Sequence, residues 1–445
     1  MEKILKFTDE FIPYNYDQRL FNLKRLKNIV EKNEKDILEA IDLDLNRSNH
    51  ETLISELYPF YKEINYFVKN LKKLMKPKSV KGDLASLGSK NYLERHPYGV
   101  VAVISPWNYP FQLALIPIVG AIAAGNKIIL KPSEISKHTT EILCKIFKPL
   151  QDFMLVLDGG PETVQNIIDS NIDYVFFTGS TNIGKLIMKS CAEKLIPHTL
   201  ELGGKSPCII EDSADIAVAV KRIIWGKLLN AGQTCIAPDY ILVKDSIKNK
   251  FTSALVKEAK HAVSQKDKFS KLISEKHYVR VKTLLEDKKN ISVYKQDIEQ
   301  DQTVGLTILL AKKDSIVMKE EIFGPILPMM VFRTKEEAVR LSKYICKNPL
   351  ALYLFTKNKA DISYYSKHIL SGGMCVNDVI LHVNNNDMPF GGVGQSGIGS
   401  YHGKYSFDTF SHTRATLINT NNLLFDMRYR INDRNVSKLR SILFR

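Results

Sequence analysis

Residues Tyr174–Lys185 read YVFFTGSTNIGK. An apolar, aromatic run ends in Thr-Gly-Ser and gives way to a helix-forming stretch that starts near Asn182. This order predicts a buried strand, a tight loop and a helix. Backbone N–H groups at such a junction, with the helix dipole behind them, suit a pyrophosphate. The loop nearly spells a P-loop, with Gly179, Gly184 and Lys185 in place, but Leu186 stands where Ser or Thr should hold magnesium. It therefore favours a metal-free dinucleotide over a nucleoside triphosphate. Taken alone, the stretch is also compatible with an ordinary strand–helix turn.

The same rhythm extends outward from this stretch. GVVAVI leads to SPWNYP and an apolar helix, KIIL leads to KPSE, and HTLELGG leads to CIIED. After Cys235, YILV precedes a helix near Ser246–Ser264, and ALYLFT precedes one near Asp361–Leu370. Strand–loop–helix alternation of this kind predicts an α/β fold with two open parallel sheets. Before Gly99 the chain reads as helices. Leu20, Leu23, Leu26, Ile29 and Val30 share one face, and a second periodic stretch runs over Thr52–Leu74, where Pro59 predicts a kink or break. Lys76–Gly99 reads as a linker or an exposed hairpin. A literal G-x-G-x-x-G at Gly392–Gly397 follows NNNDMPF rather than a strand, so it is discounted as a dinucleotide fingerprint.

Composition excludes several classes. A chain of 445 residues is expected to form two or three domains, and 44% hydrophobic with 25% charged residues is ordinary for a globular protein. The six cysteines are scattered, without C-x-x-C or zinc-finger spacing, so neither a disulfide framework nor a metal site is expected. The N-terminus MEKILKFTDEF lacks the apolar run of a signal peptide, and a cytoplasmic location is the expectation. Phe111–Gly125 is too short to span a bilayer and is predicted to be a buried helix. The net charge of +15 is spread along the chain and interleaved with acids. It fits a surface that attracts anionic cofactors better than a nucleic-acid site.

Six short stretches carry further meaning in combination: PWNYP (106–110), KPSE (131–134), LELGGKSP (200–207), GQTC (232–235), EEIFGP (320–325) and PFGG (389–392). In this order and spacing the chain resembles the NAD(P)-dependent aldehyde dehydrogenase superfamily, from roughly Leu20 to Ser411. The run YHGKYSFDTFSH (401–412) and the short N-terminus resemble its class 3 branch. That branch is dimeric and acts on medium- and long-chain aliphatic and aromatic aldehydes.

The resemblance implies two Rossmann-like domains: residues 1–77 with 98–202 for the cofactor, and 203–395 for catalysis. Residues 78–97 and 396–445 would form an oligomerisation hairpin and C-terminal arm. It implies oxidation of an aldehyde through a thiohemiacetal and thioester on Cys235. The Asn108 amide and the Cys235 N–H would hold the oxyanion, and Glu201 would be the base that hydrolyses the thioester. Lys131, Ser133 and Glu134 would meet the adenosine ribose. Gly179, Ser180, Ile183 and Gly184 would hold the pyrophosphate, with Pro106, Trp107 and Leu202 beside the cofactor. Glu321 and Phe323 would position the nicotinamide end. Glu134 can accept from ribose hydroxyls and repels a 2′-phosphate, whereas Lys131 attracts one, so NAD is expected to be preferred and NADP tolerated. Tyr109 and Trp225 would line the substrate pocket.

Each residue also has a plainer role open to it. Cys235 could be a small core hydrophobe, Asn108 a turn residue, Glu201 a surface acid at a strand end and Trp225 a core aromatic. Glu320 and Glu321 could be a solvated acidic pair. Two rival functions remain at this level: a relative that passes the thioester to CoA or phosphate, and a non-catalytic protein that kept the fold. Glu201 argues against the first, and the Asn108, Glu201 and Cys235 set against the second. VGLTILL, the Asn-rich HVNNNDMPFGG and the compressed Gln265–Gln302 depart from the family pattern and bear on substrate choice. The basic tail carries Val436, Leu439, Ile442 and Leu443 at roughly helical spacing. It is expected to be a dimer contact or mobile arm, with at most weak contact to an anionic membrane surface.

Overall fold

The computed structural model describes residues 2–9, 11–82, 88–298, 300–419 and positions 436, 437 and 440. The C-terminal tail expectations therefore lie largely outside the described residues. Helices open the chain: α1 (Glu2–Thr8), α2 (Tyr16–Lys32), α3 (Glu34–Leu45), α4 (Asn49–Thr52) and α5 (Tyr58–Leu74). Strands β1 (Lys78–Ser79) and β2 (Lys90–Pro97) follow. Then come β3 (Val100–Ile104), α6 (Gln112–Ala124), β4 (Lys127–Lys131), α7 (Lys137–Ile146), β5 (Met154–Val156), α8 (Pro161–Asp169), β6 (Tyr174–Gly179), α9 (Thr181–Glu193) and β7 (His198–Leu202). A second alternating series holds β8 (Pro207–Ile210), α10 (Ile216–Leu228), β9 (Tyr240–Lys244), α11 (Lys248–Ser264), α12 (Glu275–Leu284), β10 (Ile291–Lys295), β11 (Thr307–Leu310), β12 (Ile326–Phe332), α13 (Lys335–Ile345), β13 (Ala351–Phe355), α14 (Lys359–His368) and β14 (Gly373–Val376). The chain continues through β15 (Gly397–Ile398), α15 (Lys404–Thr409) and β16 (Ser411–Ile418).

The first sheet has the order β15-β7-β6-β3-β4-β5, parallel except for β15. Its strands can be almost wholly apolar because helices cover both faces. The second sheet runs β10-β11-β12-β9-β8-β13-β14, with only β10 antiparallel. Strand order in the first sheet reverses between β3 and β6. In open α/β sheets ligands bind beyond the strand ends at such a switch point. The third sheet, β1-β2-β16, is antiparallel and pairs Ser411 with Pro97 through to Ile418 with Lys90. Within Lys76–Gly99, β1 and β2 pair antiparallel, which agrees with the hairpin rather than the linker. Strand β15 joins the first sheet, although its residues fall in the segment expected to form the arm.

Helix α6 is apolar all round, and every residue from Leu113 to Ala124 is buried. It packs between the first sheet and α2, α5 and α15. The break expected at Pro59 falls earlier. Pro59 sits in the first turn of α5, in a rod continuous with α4, and the helical ladder widens to a π turn over Leu53–Leu57 just before it. Among the described residues no helix is long and apolar enough to cross a membrane.

Candidate active site

Cys235 follows a turn in which Asn230, Ala231 and Gly232 all have left-handed backbone angles (φ 50°, 53° and 72°). Side chains hold this costly conformation. The Asn230 N–H donates to Glu51 Oε1 at 2.6 Å, and Asn230 Nδ2 donates to the Gln233 carbonyl at 3.1 Å. Gln233 is fully buried: its Nε2 donates to the Asn230 and Lys271 carbonyls, and its Oε1 accepts from the Ile273 N–H.

The loop after β3 runs beside this turn and is bonded to it in register. Asn108 Nδ2 donates to the Gln233 carbonyl at 3.0 Å, and the next residues, Tyr109 and Thr234, share a hydroxyl–hydroxyl bond of 2.6 Å. The Asn108 carbonyl accepts from Arg47 Nη2 at 2.6 Å and Asn230 Nδ2 at 2.8 Å. Arg47 Nη1 pairs with Glu56 at 2.7 Å with both side chains fully buried, and Glu56 accepts from the Phe111 and Gln112 N–H groups. The next position along the cysteine loop, Cys235, is partly exposed and lines two cavities.

One cavity, of about 380 Å³, lies at the switch point of the first sheet. The β3 loop contributes Pro106, Trp107 and Asn108 to it, and β6 and its loop contribute Gly179 and Ser180. Glu201 and Leu202 come from β7, and Glu321 and Phe323 from the loop before β12. Ser180 caps α9 by accepting from the Ile183 N–H, and Thr181 and Asn182 of the first turn of that helix line the cavity. Gly203 lies against the Glu321 carboxylate: a Cβ there would come within 2.1 Å of Oε2 and push that side chain aside. Trp107 is flanked edge-on by His277 and Phe323 at 4.7 and 5.3 Å. The open helix end, the apolar slot and the available carboxylate fit a dinucleotide. Lys131, Ser133, Glu134, Ile183 and Gly184 are not in the lining of this cavity. Lys131 is buried at the end of β4 and ion-paired to the more exposed Glu134.

The loop over Glu320–Pro325 is anchored from beneath. Lys205 pairs with Asp239 and donates to the Val317 and Glu320 carbonyls, while Asp239 accepts from the Ile322 N–H at 2.9 Å. Arg280 donates to Glu320 and to the Glu321 and Ile322 carbonyls. Glu320 is exposed, whereas Glu321 is half-buried and its carboxyl is raised to about 8 by burial and by the charge on Asp239.

Glu201 is only 3% exposed, and neither carboxylate oxygen has a partner. Burial raises its proton affinity well above the carboxylate range. The Cys235 thiol is pushed up to about 12, first by burial and then by the negative charges of Glu321 and Glu201. As it stands the sulfur is therefore protonated at neutral pH. Thiolate formation requires its proton to pass to a base or a positive charge to arrive nearby.

The second cavity, of about 370 Å³, is overwhelmingly apolar and includes Tyr58, Tyr109, Trp225, Ile236 and Leu381 in its lining. Trp225 is 40% exposed on α10, in the wall rather than the core. The cavities share Leu113, Cys235, Phe390 and Tyr401. Among the described residues no group of three or more His, Cys, Asp or Glu is placed to hold a metal.

Sequence reading missed Arg47, Glu51, Glu56, Asn230, Gln233, Lys205, Asp239, His277 and Arg280. The available signal was acids at core-facing helical positions: Glu56 and Glu63 are buried along with Leu57, Phe60, Ile64 and Phe67.

A doubly wound sheet with a helix N-terminus and a cavity at its switch point defines a nucleotide-binding α/β enzyme. The chain belongs to the aldehyde dehydrogenase family, whose model matches residues 9–416. It is 39% identical to the 4,4′-diaponeurosporen-aldehyde dehydrogenase of Staphylococcus aureus over 94% of each chain. It is 42% identical to aldehyde dehydrogenase family 3 member A2 of Rattus norvegicus over 90% of this chain and 84% of the relative. A solved Staphylococcus aureus AldH in a substrate-bound state superposes with a TM-score of 0.94 at 37% identity, covering 100% of this chain and 98% of the other. The protein is thus an oxidoreductase that converts aldehydes to carboxylic acids with NAD or NADP.

Proposed function

We propose that Cys235 is the nucleophile, that the Asn108 amide and the Cys235 N–H hold the oxyanion, and that Glu201 is the base for hydrolysis. The observation that carries this is the position of Cys235, lining both the apolar cavity and the switch-point cavity. An aldehyde entering from the apolar side brings its carbonyl carbon to the sulfur. The thiol proton passes to a water in the site, an S–C bond forms, and the carbonyl π electrons move to oxygen. One N–H of Asn108 is held by Gln233, which leaves the second for that oxygen. Each such donor is worth about 3–4 kcal/mol in the transition state. A nicotinamide held in the other cavity would supply the two-electron acceptor: the C–H bond breaks, its hydride leaves the carbon, the C=O re-forms from the oxyanion, and a thioester stays on Cys235. Glu201 then takes a proton from water, the water oxygen attacks the thioester carbon, and the C–S bond breaks to release the acid. A buried carboxyl with raised proton affinity and no competing hydrogen bond supports that role.

The apolar lining supports a medium- or long-chain aliphatic or aromatic aldehyde. Glu134 and Lys131 support NAD as the preferred cofactor with NADP tolerated, and Ser133, Ile183 and Gly184 complete the adenosine and pyrophosphate contacts. Residues 1–77 and 98–202 form the cofactor domain, 203–395 the catalytic domain, and 78–97 with 396–445 the oligomerisation hairpin and arm of a cytoplasmic homodimer. The basic tail makes at most weak peripheral contact with membranes. A panel of aldehydes from short to long and aromatic, followed by NADH absorbance, tests this reading. Efficiency should rise with apolar length; a preference for short, polar aldehydes would contradict it.

A further inference from the structure

Helix α5 turns Phe60, Ile64, Phe67 and Leu71 into the core, and Glu63 with them. A carboxylate on the buried face of an amphipathic helix is costly unless it is hydrogen-bonded. Glu63 is 1% exposed. Its Oε1 accepts from the Gly403 N–H at 2.7 Å and, at the long distance of 3.5 Å, from the Ser406 hydroxyl. Its Oε2 accepts from Asn386 Nδ2 at 2.6 Å. The preceding residue, Lys62, donates to the Asn384 carbonyl. Two segments far apart in sequence thus meet at one turn of α5.

The two segments also touch each other. Gly403 has φ +52°, and a Cβ there would lie 2.1 Å from the Asn386 carbonyl oxygen. Behind this contact is a void of about 10 Å³ bordered by Lys62, Glu63, Asn386 and His402, and His402 Nε2 has no partner. That is room for at most one water. The same segments line the apolar cavity, the first with Leu381, Val383 and Asn384 and the second with Tyr401. Glu63 itself lines neither large cavity.

We propose that Glu63, aided by Lys62, is a specificity-determining latch that ties the 381–388 segment to the Tyr401–Ser406 turn and so fixes the width and depth of the aldehyde tunnel. It is a positioning residue and does not touch substrate. The proposal rests on reading the apolar cavity as the aldehyde tunnel. Long aldehydes, which extend from Cys235 to Leu381 and Val383, depend on the latch. Short ones, held near Cys235, Leu113 and Tyr109, do not.

The test is steady-state kinetics of the full chain with propanal, hexanal and dodecanal. Glu63→Ala and Asn386→Ala should raise KM for dodecanal about tenfold or more while changing kcat/KM for propanal less than roughly twofold. Glu63→Gln should restore the wild-type profile, since its carbonyl can accept from Gly403 and its amide can donate to a flipped Asn386 side chain. Asn386→Ala removes only the loop side of the latch and leaves α5 untouched. Equal losses along the aldehyde series, or no change with dodecanal in Asn386→Ala, would overturn the proposal. Val383→Trp, which fills the tunnel directly, separates the two readings. If it blocks dodecanal and Asn386→Ala does not, only the latch falls. If it leaves dodecanal oxidation intact, the tunnel assignment falls and the latch with it.

Discussion

Arg47 holds Asn108 by its backbone: Nη2 donates to the Asn108 carbonyl at 2.6 Å while Nη1 pairs with Glu56 at 2.7 Å. This pair belongs to a larger pattern. The rod formed by α4, the π turn and α5 carries three buried acids, each gripping a different loop of the site. Glu51 holds the cysteine turn through the Asn230 N–H, Glu56 holds the loop after β3 through Phe111 and Gln112, and Glu63 holds the tunnel wall. Glu51 lies just before the π turn and Glu56 within it.

Replacing Arg47 by Met should therefore cost stability as well as rate. It strands the Glu56 carboxylate in the core, a loss of about 3–5 kcal/mol. Chemical denaturation would measure it. Glu56→Gln should cost stability as well, because its amide NH2 must face either the Arg47 guanidinium or the Phe111 and Gln112 N–H groups, all of them donors, and Arg47 is left buried without its counter-charge. In both variants kcat should fall more than KM rises, as expected for misplacing an oxyanion donor. Unchanged stability in Arg47→Met would refute the bracing role.

Glu201→Gln should give a burst of NADH followed by steady-state turnover lowered at least about a hundredfold, the scale of a lost general base. Rapid-mix absorbance at the NADH band resolves the two phases. An undiminished steady-state rate would remove Glu201 from hydrolysis.

The same substitution should change stability in the opposite direction. The Glu201 carboxyl is raised in the folded state, so its protonated form favours folding at low pH. That contribution is lost as pH rises from the ordinary carboxylate range through the raised folded value. Glu201→Gln should accordingly melt higher than wild type at pH 8 and show no advantage near pH 4. Equal melting temperatures at pH 8 would count against a strained, unpartnered carboxylate.

Much of the fold was legible in the sequence because both sheets are buried on both faces. VVAVI, KIIL and YVFFTG are near-continuous apolar runs that only such strands need. Gln265–Gln302 resisted reading because α12 buries only Val281 and Leu284, and β10 is an edge strand with no buried residue. Within the site, Cys235, Glu201 and Asn108 stood out only in combination. The left-handed turn at Asn230 and Ala231 left no local signature, since neither residue is glycine and the side chains that stabilise it come from elsewhere in the chain. The grip of Arg47 on Asn108 spans 61 positions, a separation that no local pattern encodes.

Cofactor choice should respond to Glu134. Its carboxylate faces Lys131 and would oppose a 2′-phosphate. Glu134→Ser frees the lysine and should raise kcat/KM with NADP by roughly tenfold, equivalent to about 1.4 kcal/mol. Comparison of the two cofactors in wild type and variant decides this. A wild type that already prefers NADP would contradict it.

The thiol itself should be unreactive until turnover. Iodoacetamide should alkylate Cys235 slowly at pH 7, with a rate that climbs toward the raised value of about 12. A titration midpoint near the free-thiol value would show that another group stabilises the thiolate.

The most direct measurement is intact-protein and peptide mass spectrometry of Glu201→Gln mixed with NAD and a long-chain aldehyde. The expected product is one acyl group per chain, as a thioester on the peptide carrying Cys235 and absent from Cys235→Ala. An unmodified Cys235 during the NADH burst, or an acyl group on another cysteine, would contradict the assignment of Cys235 as nucleophile and Glu201 as hydrolytic base.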